Sequence, residues 1–241
     1  MGRFSILRYI FLEKIIKHVP EGLHGFFASL YDKEIARVIL PDFYRLIAEE
    51  VAIAIESGRI LDVGTGPAYL SIEIVKAAPN IHVVGLDVSN RMVEIARKNV
   101  RGTYVAGQID LVRGDGNSLP FEDGVYDMVI STGVLFTCKN PVRVLNECHR
   151  VLKCGGEAWI YDFRRDIREE EIKRGKEELR KRGLSRLGQL MTVFAIRIAY
   201  TINEFSKVVD ETKFESYDIK PYGIGNIGNV GMKARLKRCS D

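Results

Sequence analysis

Cysteine, histidine and long apolar runs are scarce in this chain of 241 residues. The four cysteines, Cys138, Cys148, Cys154 and Cys239, form no CxxC pair. Their spacing therefore suggests neither a zinc site nor a disulfide framework, and a reducing cytoplasmic setting is the simplest reading. The four histidines, His18, His24, His82 and His149, lack metal-type spacing, so no metal is expected. No apolar run approaches the length needed to cross a bilayer. The N-terminal stretch RFSILRYIFLEKIIKHV resembles a signal peptide only superficially. Arg8, Glu13 and Lys14 interrupt it and no small-residue cleavage site follows, so an amphipathic helix is expected instead. Internal repeats and low-complexity linkers are absent too, which leaves one domain over residues 1–241.

A strong charge imbalance is also missing, but the formal +4 is unevenly placed. Residues 1–57 and 58–162 are each nearly balanced, whereas residues 163–241 carry 18 bases against 12 acids. That surplus could serve an anionic substrate, an anionic membrane surface or RNA. A solvated helical face is the better reading, because RRDIREEEIKRGKEELRKR interleaves acids with bases at i,i+4 spacing.

What is present is a strand, a tight turn and a helix in direct succession: ILDVGTGPAYLSIEIVK, residues 60–76. Gly64 and Gly66 let the backbone turn sharply and approach a ligand closely. The helix N-terminus behind them offers unpaired N–H groups and a positive dipole end. Asp62 selects the ligand: a carboxylate there would repel a pyrophosphate and suit a ligand bearing positive charge. Residues 81–87, IHVVGLD, form a second strand ending in an acid that can accept both hydroxyls of a ribose. Residues 111–131 place Asp115-Gly116 after a third strand and before a fourth, YDMVIS. Residues 144–162 read as a helix, a Gly-Gly break and a fifth strand.

Before this alternating core, residues 1–57 read as helix in three pieces, broken at Pro20-Glu21-Gly22 and near Pro41. After it come a charged helix over 164–183, an apolar helix over 185–201, a short helix over 202–212, and strands over 215–220 and 229–237. Gly223, Gly225, Gly228 and Gly231 in the last connection suggest phosphate binding, but no helix follows, so a long flexible hairpin connection is the expectation. Helix 185–201 is too apolar to lie free in water. It must pack on the N-terminal helices, on a second subunit or on lipid.

Together these motifs resemble the class I S-adenosylmethionine (SAM)-dependent methyltransferases, in particular the small-molecule and quinone-type group, closely over residues 58–162. Two departures are Ala68, where the family often has a third glycine, and Cys154, where it has a proline before the fifth strand. The resemblance implies an α/β, Rossmann-like seven-stranded sheet, mostly parallel with an antiparallel last strand between its neighbours, and helices on both faces. It divides the chain into an N-terminal helical cap (1–57), a SAM-binding core (58–162), a helical insertion (163–213) and C-terminal strands (214–241).

The resemblance also implies the cofactor SAM, with S-adenosylhomocysteine as product, and assigns residues to it. Asp62, Gly64, Thr65 and Gly66 hold the methionine end. Asp62 meets the amino group or serves as a helix N-cap, and Thr65 acts through its main-chain N–H or its hydroxyl. Asp87 takes the ribose, and Val88 and Met92 pack on the adenine, Met92 having a plain core role as rival. Asp115 accepts from the adenine amine, and the Gly116 N–H reaches a ring nitrogen. Ser131, Thr132 and Gly133 line the gap toward the acceptor. Tyr31, in FFASLYD, closes over the carboxylate or is an ordinary core tyrosine.

No general base is evident; Leu135-Phe136-Thr137 follows the fourth strand, and His24 in the cap is a weak candidate. The tetrapeptide of base-amino methyltransferases is absent, which argues against DNA. A methyltransferase for a small, lipophilic acceptor leads. Behind it stand an RNA or protein methyltransferase and a non-catalytic scaffold of the same fold. A NAD-dependent dehydrogenase is disfavoured by Asp62.

Overall fold

The computed structural model describes residues 25–38, 40–224 and 228–239. The first helical piece expected before Pro20, the candidate base His24 and part of the glycine-rich connection lie outside the described residues.

Seven strands make one sheet in the order β3-β2-β1-β4-β5-β7-β6. They are β1 (Gly58–Val63), β2 (Ile81–Asp87), β3 (Ile109–Arg113), β4 (Tyr126–Thr132), β5 (Leu152–Phe163), β6 (Ser216–Tyr222) and β7 (Gly231–Lys237). β1 to β5 pair in parallel, and β7 runs antiparallel between β5 and β6. That is the topology the resemblance implied. The central strands are apolar on both faces, as a sheet covered by helices on both sides requires. Ile60, Val83 and Met128 face one hydrophobic cluster, and Leu61, Val84 and Val129 the other.

The first cluster is roofed by α2 (Pro41–Ala54) and α3 (Tyr69–Ala77), the second by α5 (Pro141–Val151) and α8 (Ile202–Asp210). α4 (Asn90–Arg101) buries Met92, Val93, Ala96 and Val100 beside β2 and β3. Before α2, a short α1 (Gly25–Leu30) widens into a π-turn over Tyr31–Ala36, closed by the Arg37 N–H donating to the Asp32 carbonyl.

The insertion begins later than its sequence suggests. Helix α6 spans Glu169–Lys181, not 164–183. Loop backbone claims the missing residues: the Arg164 N–H donates to Val230 O, just before β7, and the Arg165 N–H to Tyr200 O, just before α8. Helix α7 (Arg186–Ile198) likewise stops short of residue 201. The Arg165 guanidinium takes the Ala199 carbonyl, and Thr201 starts α8 with a capping box to Glu204. Of the three partners open to α7, it packs on the cap. The Ser185 N–H donates to Glu34 at 2.9 Å, Gly188 lies against Glu34, and Arg182 reaches the Val38 carbonyl.

Ala68, just before α3, sits at φ 65°, the one non-glycine residue in the left-handed region among the described residues, and is fully buried. An L-residue there costs about 1–2 kcal/mol. Ala68→Gly should therefore stabilise the fold by up to about 1 kcal/mol, after the larger unfolded-state entropy of glycine is subtracted. A urea melt at an unchanged slope checks this.

Candidate functional site

The C-terminal ends of β1 to β4 converge on the turn after β1, where ligands sit in open α/β sheets. Asp62 is 1% exposed. Its Oδ2 accepts the hydroxyls of Thr65 at 2.7 Å and Ser71 at 2.6 Å. Its Oδ1 is buried with no hydrogen-bond partner. Burial pushes its pKa up to about 6 against those two hydroxyls, and the nearby charge of Asp87 adds to the rise. Asp62 is not the N-cap of α3. That position is Ala68, which has no side chain able to cap.

The turn is tied to β2. The N–H groups of Gly64 and Thr65 both donate to Leu86 O, at 2.7 and 3.0 Å. The main-chain N–H of Thr65, expected to meet the ligand, is thus spent inside the fold; the hydroxyl is spent on Asp62. Gly66 donates its N–H to Asp87 Oδ2 at 3.0 Å, and Ser89 donates to Oδ1 at 2.8 Å.

The other expected residues gather around this pair of acids. The Gly114 N–H donates to Asp87 O at 3.1 Å, which brings the end of β3 beside the end of β2. Asp115 is exposed and folds its own loop, accepting the Asn117 N–H at 2.8 Å. Gly116 faces Val144 and Val63. Val88 is half-buried, whereas Met92 is only 2% exposed. The Ser131 hydroxyl donates to Val63 O at 2.8 Å and so clasps β4 to β1; Thr132 is half-buried, and Gly133 borders open space. Tyr31 begins the π-turn beside Gly66 and hydrogen-bonds Tyr44. Burial raises the pKa of both phenols, and the nearby Asp62 charge adds to each rise.

Sequence reasoning missed four participants. Ser71 completes the hydroxyl pair on Asp62, and Tyr44 supports Tyr31. Gly85 makes room: a Cβ there would stand 2.8 Å from the Thr65 hydroxyl. A glycine inside an apolar strand signals such a close approach. Asp162, at the end of β5, is 2% exposed and accepts the N–H groups of Val134 at 2.9 Å and Phe136 at 3.3 Å.

The assembled site is a pair of buried acids, Asp62 with one unpartnered carboxylate oxygen, beside a helix start that lacks a side-chain cap. It suits a ligand that carries a positive nitrogen, a carboxylate and vicinal hydroxyls. Two neighbouring carboxylates disfavour a pyrophosphate. The donor and acceptor set therefore fits SAM, and the fold and site define a class I SAM-dependent methyltransferase architecture.

Comparison with known proteins agrees. Residues 61–160 match the family described as "Methyltransferase domain". It is 38% identical over 112 residues to the ubiquinone/menaquinone biosynthesis C-methyltransferase UbiE of Geotalea uraniireducens, covering 45% of this chain and 46% of that protein. It is 30% identical over 150 residues to 2-methyl-6-phytyl-1,4-hydroquinone methyltransferase 1 of Oryza sativa, covering 61% of this chain and 44% of that one. The chain thus spans about half the length of these curated relatives. A Methanococcus maripaludis protein assigned as an S-adenosyl-L-methionine-dependent methyltransferase superposes with a TM-score of 0.67 at 26% identity, over 92% of this chain and 98% of that one. Among the described residues, no helix is long and apolar enough to cross a membrane and no group of side chains could hold a metal ion.

The burial of Asp62 has a measurable sign. Its folded pKa, about 6, lies above its unfolded value. The stability it contributes is full below the unfolded pKa, near 4, and is lost as pH rises through 6, by roughly 3 kcal/mol. Asp62→Asn keeps an acceptor for the two hydroxyls and removes the charge. Relative to wild type, the ligand-free variant should gain melting temperature between pH 5 and pH 8. A constant difference across that range would contradict a buried, titrating Asp62.

Proposed function

We propose that this chain is a SAM-dependent methyltransferase acting on a small, lipophilic, quinol-like acceptor. The observation that carries the cofactor half is the unpartnered, buried Oδ1 of Asp62 beside a second carboxylate. In this reading Asp62 receives the amino group of SAM and Asp87 its ribose hydroxyls. Tyr31 lies over the methionine end, and the loop at Asp115-Gly116 meets the adenine. The uncapped start of α3 faces the cofactor carboxylate. When bound, SAM supplies an activated methyl group on a sulfonium. The protein's own task is then largely to orient the acceptor in line with it and exclude water, and good alignment alone can supply a large part of the rate.

The acceptor half is carried by the relatives, two of which are named for methylating quinone precursors or a hydroquinone. A cap packed against helix α7, whose Val193, Phe194 and Ile196 are buried, supports an apolar roof over the acceptor side. The basic surplus of residues 163–241 supports RNA poorly, because many of its charges are paired. Arg235 holds Glu157, Lys233 holds Glu50, and Arg182 holds Glu178 and Asp42.

Calorimetry with SAM, S-adenosylhomocysteine and NAD tests the cofactor half; binding of NAD alone would refute it. Asp87→Ala should weaken SAM by at least about tenfold, since charge-assisted hydrogen bonds are worth roughly 1.5–3 kcal/mol each. SAM affinity of the wild type should also fall as pH drops below 6, where Asp62 takes a proton, and Asp62→Asn should abolish that dependence. Transfer of a labelled methyl group to a short-chain prenylated hydroquinone tests the acceptor half.

A further inference from the structure

Val134 occupies the space over Gly64. A Cβ built on that glycine would fall well inside the contact distance of the Val134 side chain, and Gly64 has φ 74°. The first glycine of the cofactor turn is therefore bare partly because an acceptor-side residue lies against it. Val134 in turn is held by Asp162, whose Oδ1 accepts its N–H at 2.9 Å. Oδ2 accepts the Phe136 N–H at 3.3 Å. Two amides of one short loop thus converge on one buried acid, an arrangement of backbone dipoles that recurs around anions. The loop they belong to ends β4 and borders open space at Gly133. The Gly133 N–H is pinned to the neighbouring Tyr161 carbonyl at 2.8 Å.

We propose that Asp162 is a positioning residue for methyl transfer. Its carboxylate gathers the amides of Val134 and Phe136, seats Val134 on Gly64, and so fixes the acceptor-side loop to the cofactor turn as one body. The inference rests on the methyltransferase reading given above. In this role Asp162 acts through the loop that its carboxylate holds. The acid is also costly to keep. Burial pushes its pKa up to about 7, opposed only by the loop amides. A neutral apolar residue at the end of β5 would avoid that penalty, so the carboxylate serves the loop rather than the core.

The test uses the full chain with Asp162→Asn and, as a second variant, Val134→Gly. Asn keeps one acceptor but turns an N–H toward an amide, and it buries no charge. Hydrogen exchange resolved to residues 133–137 should speed up at least about tenfold in Asp162→Asn, while β1 and β4 stay protected and the melting temperature at pH 8 does not fall. S-adenosylhomocysteine affinity, measured by calorimetry, should change less than about threefold. Turnover of the prenylated hydroquinone should drop at least about tenfold in kcat with a smaller change in KM, as loss of alignment predicts. Val134→Gly should reproduce the loss of kcat while leaving the Asp162 hydrogen bonds to the loop amides intact. Unchanged loop exchange in Asp162→Asn would overturn the inference. So would loop exchange that rises only in step with global unfolding, or kcat preserved despite a loosened loop. Failure of the wild type to bind S-adenosylhomocysteine would instead defeat the methyltransferase reading, and with it the positioning role.

Discussion

An ionised carboxyl group buried at the end of β1 loses its hydration, and two hydroxyls return only part of it. Asp62 is in that position: Oδ2 is served by Thr65 and Ser71, and Oδ1 by nothing. Much of the surrounding structure follows from keeping it there. Gly85 is a glycine so that the Thr65 hydroxyl can reach across β2. Leu86 O gathers the N–H groups of Gly64 and Thr65, so the turn stays closed over the acid. Ser71 lies in the first turn of α3 and binds Asp62 rather than capping its own helix. A fold selected for stability alone would place an apolar residue at 62, since an incompletely paired buried acid is destabilising. The cost is understandable if a cationic ligand completes the pairing.

The same economy recurs at the end of β5. Asp162 is a second buried acid, again without a cationic partner among its hydrogen bonds, and it accepts the amides of Val134 and Phe136. The two acids are mechanically connected through Gly64 and Val134. On the cap side, Tyr31 begins a π-turn that also carries Glu34, and Glu34 holds the start of α7 through Ser185. π-turns are frequent at functional sites because they re-aim side chains at small cost. Here the turn places one residue beside the glycine turn and another against the insertion.

Much of this was legible beforehand. The alternation of apolar strands and amphipathic helices over residues 58–162 defines a parallel sheet, because only a sheet covered on both faces tolerates strands as apolar as IHVVGLD. Asp62, Gly64, Gly66 and Asp87 could be picked out because their chemistry is local: a turn, a strand end and a helix start lie within a few residues of each other. Element ends were less legible. The start of α6 and the end of α7 shifted because Val230, Tyr200 and Arg165 claim the flanking backbone groups, and such pairings join residues far apart in the chain.

The sequence by itself determined the order of elements, the topology class and the acids at the ends of β1 and β2. Periodicity, glycine turns and strand-end carboxylates are properties of short segments. Only the tertiary structure decided that Thr65 spends its N–H on Leu86, that Asp62 retains an unpartnered oxygen, and that α7 rests on the cap. It also decided that Asp162 holds the amides of Val134 and Phe136, with Val134 lying against Gly64. Each of these is a hydrogen bond or contact, made or missing, between segments that the chain keeps tens of residues apart. No local pattern encodes which donor reaches which acceptor until the sheet brings the strand ends together.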